Sequence, residues 1–243
     1  MIKVPSIAVL YHIFYEDSCD IIILELQPLA AYSPFFLFNI CEETPGKENI
    51  CKALKSSFPD CFIIITSNKG KDIGAKLALL QLLLSLEISA DYLLFLHDKK
   101  SLQALKSKTW KTDLLKIISA DNIQAILSSF QKNDSCGIIA TKEYIINETI
   151  ENNQFIGANG GILNDLLKKY SVKPASYEFV AGTMFWARYS PLKSFFVKYS
   201  PLEIRKEFEN GNVIDNFSGT VTHSWERILN WIISANGYHI TGI

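Results

Sequence analysis

Residues 92–101, Tyr-Leu-Leu-Phe-Leu-His-Asp-Lys-Lys-Ser, change within a few positions from an apolar run to a cluster of charged side chains. The apolar part, 92–96, predicts a strand that is covered on both faces, which is typical of parallel sheets. His97 and Asp98 would then lie at the carboxyl end of that strand, where open α/β sheets bind their ligands. This segment therefore predicts both the class of fold and the edge of the sheet that carries the function.

Similar apolar runs recur along the chain, and predicted helices separate them. Strands are predicted at 6–14, 34–40, 61–66, 136–140 and 179–188, and helices at 50–57, 72–86, 109–120, 121–131, 162–170 and 222–235. Asp72 and Asp121 are the expected N-caps of their helices, because a carboxylate accepts hydrogen bonds from the unpaired N–H groups of a first turn. Alternating strands and helices indicate an α/β fold with a Rossmann-type sheet flanked by helices.

Composition narrows the class of protein. The 243 residues, 48% of them hydrophobic, suffice for one substantial core, so a single domain is expected. The formal net charge of −1 argues against a nucleic-acid partner and favours a small or neutral one. The five cysteines are odd in number and contain no C-x-x-C pair, which argues against disulfides or zinc and favours a reducing cytoplasm. Neither a secretory signal nor a membrane-spanning segment is predicted.

A first candidate site is the turn Asn68-Lys69-Gly70-Lys71-Asp72-Ile73-Gly74, between a predicted strand and a predicted helix. Glycine permits close backbone approach, and a helix N-terminus favours negative charge, so a nucleoside diphosphate would suit this turn. The pattern matches neither the P-loop nor the dinucleotide-binding fingerprint. A tight turn followed by a helix cap explains the same residues without a ligand.

The cluster His97-Asp98-Lys99-Lys100 is a second candidate, because an apolar strand ends there in an imidazole, a carboxylate and two ammonium groups. Two mechanisms are open. Asp98 could hold a divalent cation, Mn²⁺ or Mg²⁺, that bridges diphosphate oxygens, or Lys99 and Lys100 could neutralise a leaving diphosphate directly. A solvated turn that leads into a helix is the alternative without function.

The start of the last predicted helix is a third candidate. His223, Glu226 and Arg227 are spaced i, i+3 and i+4, so they project from one helix face. Glu226 is the expected general base for an acceptor hydroxyl, with His223 as its partner, a metal ligand or itself the base. Arg227 would bind phosphate or orient Glu226. A surface ion pair would give the same spacing.

Residues 179–188 combine small and aromatic side chains in one predicted strand. Strict alternation would put Phe179, Thr183 and Phe185 on one side and Trp186 on the other. Phe185 and Trp186 could form a platform for a sugar, although aromatic residues in strands also serve the core. Gly182 is expected to mark a bulge or a close backbone approach.

These segments, in this order, resemble the rhamnan synthesis protein F family of bacterial glycosyltransferase domains. The resemblance extends over most of the chain and is carried by Ile7-Ala8-Val9-Leu10-Tyr11-His12, Asn68 to Gly74, Leu96-His97-Asp98-Lys99-Lys100-Ser101, Ala181-Gly182-Thr183-Met184-Phe185-Trp186-Ala187-Arg188 and His223-Ser224-Trp225-Glu226-Arg227. The family pattern has Thr at Asp98 and commonly Arg at Lys71, so a metal ligand at Asp98 is not implied. Residues 207–220 resemble the acidic approach to the family's last helix.

The resemblance implies a GT-A-like fold, with nucleotide-sugar binding in about 1–140 and the acceptor side in about 141–243. It implies a transfer from a nucleoside-diphosphate sugar to a glycan or lipid-linked glycan acceptor, as in rhamnan or O-antigen assembly. The expected roles fall into three groups: catalysis by Glu226, His223 and Arg227, nucleotide-sugar binding by His12, Asn68, Gly70, Asp72, Gly74, His97, Asp98, Lys99 and Lys100, and acceptor binding by Gly182, Thr183 and Trp186.

Two rival hypotheses stay open at this point. One is a non-catalytic carbohydrate- or nucleotide-binding module of a polysaccharide assembly complex, and the other is a nucleotidyltransferase, for which no triphosphate motif is present. Lipid-linked acceptors would require work at the inner face of the inner membrane, so peripheral membrane association is expected for a transferase that uses them.

Overall fold

The computed structural model of the protein describes residues 5–98, 113–150, 154–214 and 218–243. The strands are β1 (Ile7–Ile13), β2 (Phe35–Cys41), β3 (Phe62–Thr66), β4 (Tyr92–His97), β5 (Cys136–Ala140), β6 (Ile145–Asn147), β7 (Glu178–Val180), β8 (Phe185–Arg188) and β9 (His239–Gly242). The α-helices are α1 (Cys19–Ala30), α2 (Lys47–Ser57), α3 (Lys71–Ser85), α4 (Ala120–Lys132), α5 (Gly160–Lys169), α6 (Tyr189–Lys198), α7 (Pro201–Lys206) and α8 (Val221–Ser234).

Seven strands form one mixed sheet in the order β3-β2-β1-β4-β8-β5-β9. Neighbouring strands are parallel from β3 to β4 and between β5 and β9, whereas β8 is antiparallel to both β4 and β5. Because β8 runs in the opposite direction, its first residues lie at the edge where β1 to β4 end. The register puts Phe185 at the start of β8 beside Phe95 near the end of β4.

Helices cover both faces of this sheet, which explains why its strands lack polar alternation. One face packs against α3, α6 and α8, and its buried residues include Leu10, Leu77 and Trp225. The other face packs against α1, α2 and α4, with Tyr11, Ile22 and Phe130 in the core. The result is a three-layer α/β domain that is consistent with a Rossmann-like fold, as the sequence predicts.

Strand 179–188 is the main correction to the predicted elements. The segment forms two strands, β7 and β8, joined by a turn in which Gly182 (φ 81°) and Thr183 (φ 53°) both adopt left-handed backbone conformations. β7 pairs with β6 in a separate two-stranded sheet. The predicted alternation of side chains along one strand is therefore wrong, because a left-handed turn interrupts the strand.

The predicted helix caps also need correction. α3 begins at Lys71 and is preceded by Gly70 in the left-handed conformation (φ 74°), so Asp72 lies inside the first turn. Likewise, α4 begins at Ala120 after Ser119, and Asp121 lies in its first turn. The predicted helix at 109–120 begins outside the described residues, and its described part includes the 3-10 helix Leu115–Ile118.

Candidate functional site

A cleft of about 270 Å³ opens at the carboxyl edge of the parallel strands. Four segments distant in sequence meet there, namely the start of α3, the end of β4, the turn between β7 and β8, and the start of α8. Its lining residues are Lys71, Asp72, Ile73, His97, Ala181, Gly182, Thr183, Thr222, His223 and Glu226. A larger groove of about 730 Å³ lies at the other end of α3, against α6. The predicted convergence of Asp72, His97 and Glu226 on one cleft is confirmed.

Asp72, which lines the cleft, forms an ion pair with Lys76, which lies behind it. The Lys76 Nζ lies 2.7 Å from Asp72 Oδ2, and its side chain is completely buried, whereas that of Asp72 is 23% exposed. Lys76 also donates to the Thr183 hydroxyl and lies 3.4 Å from His97 Nδ1. Burial would raise the pKa of Asp72, but Lys76 and His97 outweigh it and hold this pKa well below its usual range.

Glu226 is the second carboxylate of the cleft, and its position is fixed by two donors. The Gly182 N–H donates to Glu226 Oε1 at 2.9 Å, and Arg227 Nη1 lies 2.8 Å from Oε2. Burial raises the pKa of Glu226 above its ordinary value, and the positive charge of Arg227 opposes this shift. The cleft therefore holds two carboxylates whose pKa values are shifted in opposite directions.

Arg227 lies behind Glu226 and outside the lining of the cleft. Its guanidinium contacts Glu148 at 3.1 Å, donates to the His223 carbonyl at 3.0 Å and stacks over the Phe179 ring at 4.3 Å. Of the two roles predicted for Arg227, these contacts favour orientation of Glu226 over phosphate binding.

The start of α8 is positioned by hydrogen bonds at its cap. The Thr220 hydroxyl accepts from the His223 N–H at 3.1 Å and lies 2.6 Å from His223 Nδ1. The Glu209 carboxylate accepts from the N–H groups of Val221 (2.7 Å) and Thr222 (3.0 Å) and from the Thr222 hydroxyl. Glu209 thus occupies the anion-binding end of α8 and fixes the helix that carries His223 and Glu226.

His12 lies at the carboxyl edge of the sheet, in a hydrogen-bonded row across three strands. His12 Nδ1 is 2.8 Å from Asn39 Oδ1, and Asn39 Nδ2 donates to the Thr66 hydroxyl at 2.7 Å. Burial lowers the pKa of His12. His12 is not among the lining residues of the cleft.

The glycines of the 68–74 segment shape its turn rather than line the cleft. A Cβ on Gly74 would lie 1.9 Å from the Lys69 carbonyl oxygen, and Gly70 takes up a left-handed conformation. Asn68 is buried and donates to Asn212 Oδ1 at 3.3 Å. Of the predicted nucleotide-binding residues in this segment, Asp72 reaches the cleft.

Asp98 holds the chain that follows β1, which corrects its predicted role as a metal or nucleotide ligand. The carboxylate accepts from the N–H groups of Phe14 (2.9 and 3.0 Å) and Tyr15 (2.8 Å) and from the Ser18 hydroxyl (2.7 Å). These bonds use both oxygens, so little capacity is left for a cation. Nowhere in the described parts of the chain do three His, Cys, Asp or Glu side chains form a potential metal site. Lys99 and Lys100 lie outside the described residues.

Trp186 is a core residue, and its predicted role in acceptor binding is corrected accordingly. Its side chain has no exposed surface, and the indole N–H donates to the Ile117 carbonyl at 2.9 Å. It therefore cannot present a face to a sugar. The other predicted acceptor-side residues, Gly182 and Thr183, do line the cleft.

The sequence prediction missed Lys76, Glu148 and Glu209, which support the cleft from behind. A signal for Lys76 was present, because a lysine on a buried helix four residues after Asp72 has an ion-pair partner on its own face. Glu148 becomes a partner of α8 through the tertiary fold, and its local sequence carries no comparable signal. Glu209 lies in the acidic segment 207–220 that resembles the family pattern, but the sequence alone assigns it no partner.

The fold and this cleft define a three-layer α/β protein with a polar cleft at the carboxyl edge of its sheet. The chain belongs to the rhamnan synthesis protein F family, whose sequence model matches residues 1–238. This membership places the protein in polysaccharide synthesis, a process that involves a sugar donor and a glycan acceptor. No curated protein sequence matches the chain significantly. Among the described residues, no helix is both long enough and apolar enough to span a membrane.

Proposed function

We propose that this protein is a glycosyltransferase of GT-A type that transfers a sugar from a nucleoside-diphosphate sugar to a growing rhamnan- or O-antigen-type polysaccharide. The observation that supports this best is the meeting of Asp72, His97, Thr183 and Glu226 in one cleft at the carboxyl edge of the sheet. Carboxylates with opposite pKa shifts in one cleft are typical of acid–base sites. Family membership supplies the polysaccharide context.

Glu226 is the general base in this proposal. It takes the proton of an acceptor hydroxyl while that oxygen bonds to the anomeric carbon, and the nucleoside diphosphate leaves with the electron pair of the broken bond. Its raised pKa makes Glu226 a stronger base than an ordinary carboxylate. The Gly182 N–H and Arg227 hold its two oxygens in place. His223, which also lines the cleft, is the second candidate for the base.

The donor lies along the carboxyl edge, with its nucleotide on the side of His12 and Asn68 and its diphosphate near the start of α3 and residues 97–100. Because the Asp98 carboxylate is engaged by the chain, we assign neutralisation of the leaving diphosphate to Lys99 and Lys100. The acceptor approaches from the side of Gly182 and Thr183. Use of a lipid-linked acceptor places the reaction at the cytoplasmic face of the inner membrane.

Replacement of Glu226 by glutamine tests this assignment. We expect Glu226→Gln to lower transfer by at least about 100-fold, the usual contribution of a general base, while donor binding by calorimetry changes less than about threefold. Glu203→Gln, at an exposed helix position, is the matched control and should keep full activity. Near-normal transfer by Glu226→Gln would remove Glu226 from the mechanism. Donor binding without turnover by the wild-type protein would instead favour the non-catalytic module.

A further inference from the structure

We propose that the 270 Å³ cleft is the subsite of the transferred sugar ring, and that Asp72 recognises hydroxyl groups of that ring rather than the diphosphate. This inference rests on the proposed function and specifies which part of the donor the cleft binds. It is carried by the placement of charges around the cleft, by the unequal use of the two Asp72 oxygens and by the size of the space.

The cations that balance the two carboxylates lie behind them. Lys76 has no exposed surface, and the Arg227 side chain is 14% exposed and held between Glu148 and the Phe179 ring. The carboxylates of Asp72 and Glu226 therefore face the cleft, with their counter-ions on the protein side. Lys71 also lines the cleft, and its ammonium group donates to the Val213 carbonyl at 3.1 Å. Hydroxyl groups would donate to the two carboxylates, whereas a diphosphate would be repelled by them.

The Asp72 carboxylate has one oxygen engaged by the protein and one left for a ligand. Oδ2 receives the Lys76 ammonium at 2.7 Å and the Thr183 hydroxyl at 2.6 Å, and His97 Nδ1 is 3.7 Å away. Within the described residues, Oδ1 has no hydrogen-bond partner. Asp72 also stays partly exposed beside a lysine that is completely buried. An ionised, rigidly held acceptor with one unused oxygen suits a neutral polyol.

The dimensions and surface of the cleft also fit a single sugar ring. Its volume of about 270 Å³ falls below the roughly 300–1,000 Å³ of pockets that enclose drug-sized ligands. A whole nucleotide sugar would extend beyond it, along the edge of the sheet. Ile73 and Ala181 add apolar surface for the C–H groups of the ring.

Asp72→Asn separates recognition of the sugar from recognition of the diphosphate. Calorimetric titrations with thymidine-, uridine- and guanosine-diphosphate sugars first identify a donor that binds the wild-type protein, and the matching nucleoside diphosphate is then titrated alone. We expect Asp72→Asn to lower the affinity for the sugar-bearing ligand about 10- to 100-fold, because charge-assisted hydrogen bonds to hydroxyl groups are lost. The affinity for the free nucleoside diphosphate should fall less than about threefold. Asp60→Asn, at an exposed position, is the matched control.

A second measurement avoids any folding defect of the Asp72 variant. Donor analogues that each lack one sugar hydroxyl are titrated against the wild-type protein, and at least one should bind about 10-fold or more weakly than the parent donor. Equal losses for sugar-bearing and sugar-free ligands in Asp72→Asn, or full affinity for every deoxy analogue, would overturn the inference and leave the transferase proposal standing. Failure of all nucleoside diphosphates and their sugars to bind the wild-type protein would overturn both.

Discussion

Removal of the buried ammonium group of Lys76 should destabilise the fold strongly. Lys76→Met keeps an unbranched apolar side chain but leaves the Asp72 carboxylate without its counter-ion, and the Thr183 hydroxyl loses a partner as well. Breaking a buried ion pair on one side costs about 3–5 kcal/mol. Because Asp72 is 23% exposed, solvent reduces this penalty, and we expect a loss of about 2–3 kcal/mol in the free energy of unfolding.

Thermal unfolding measures this effect directly. A loss of about 2–3 kcal/mol corresponds to a fall in Tm of about 4–12 °C for a domain of this size. The double variant Lys76→Met with Asp72→Asn should recover at least half of the loss, since no buried charge remains without a partner. Lys206→Met, which breaks an exposed ion pair with Glu203, is the matched control and should leave Tm unchanged within error.

The pH dependence of the folding stability tests the same prediction independently. The pKa of Asp72 is lower in the folded protein than in the unfolded chain, so the pair contributes stability above about pH 4 that is lost as pH falls through the folded-state pKa. The difference in stability between wild type and Lys76→Met should therefore shrink below about pH 4. A Tm within about 2 °C of wild type at pH 7, or a difference that grows in acid, would refute the assigned pairing.

Three further predictions concern other parts of the structure. Gly74→Ala should lower Tm by more than 5 °C, because a Cβ would lie 1.9 Å from a carbonyl oxygen, whereas Gly161→Ala, with open space around it, should leave Tm unchanged or slightly raised. Asp98→Asn should lower the free energy of unfolding, measured in urea, by about 1–3 kcal/mol, because a carboxylate that accepts main-chain hydrogen bonds is lost. Any effect of Mn²⁺ or Mg²⁺ on activity should stay the same in this variant. Arg227→Met should move the acid limb of the transfer–pH profile to higher pH, because Arg227 lowers the pKa of Glu226; an unmoved limb would argue against Glu226 as the base.

The elements of the sheet could be predicted wherever both faces of a strand are buried. β1, β2, β4 and β5 have uncharged sequences, and their burial on both sides produces the runs that the sequence displays. The carboxyl edge could also be located, since polar residues follow these runs. The break between β7 and β8 could not, because Thr183 is a β-branched residue in a left-handed conformation that local sequence disfavours.

Part of the site was equally open to prediction, and part was not. Asp72 and His97 stand at the ends of their elements, and Glu226 lies in the first half of α8, so topology brings them together once the strands are parallel. The roles of Asp98 and Trp186 were not predictable, because each depends on partners 69 to 84 residues away that only the tertiary fold supplies. A carboxylate at a strand end and an aromatic residue in a strand have the same local sequence whether they serve a ligand or the core.

The turn between β7 and β8 links the two carboxylates of the cleft. The Gly182 N–H donates to Glu226, and the adjacent Thr183 hydroxyl donates to Asp72, so two consecutive residues fix one carboxylate each. Both residues have positive φ. The left-handed conformation costs a threonine about 1–3 kcal/mol, so it is kept only where surrounding contacts impose it. Because β8 is antiparallel to β4, this strained turn lies at the edge of the sheet where β4 ends. If Asp72 binds the sugar ring and Glu226 the acceptor hydroxyl, the turn sets the separation of the two reactants, and neither carboxylate can move without disturbing the other.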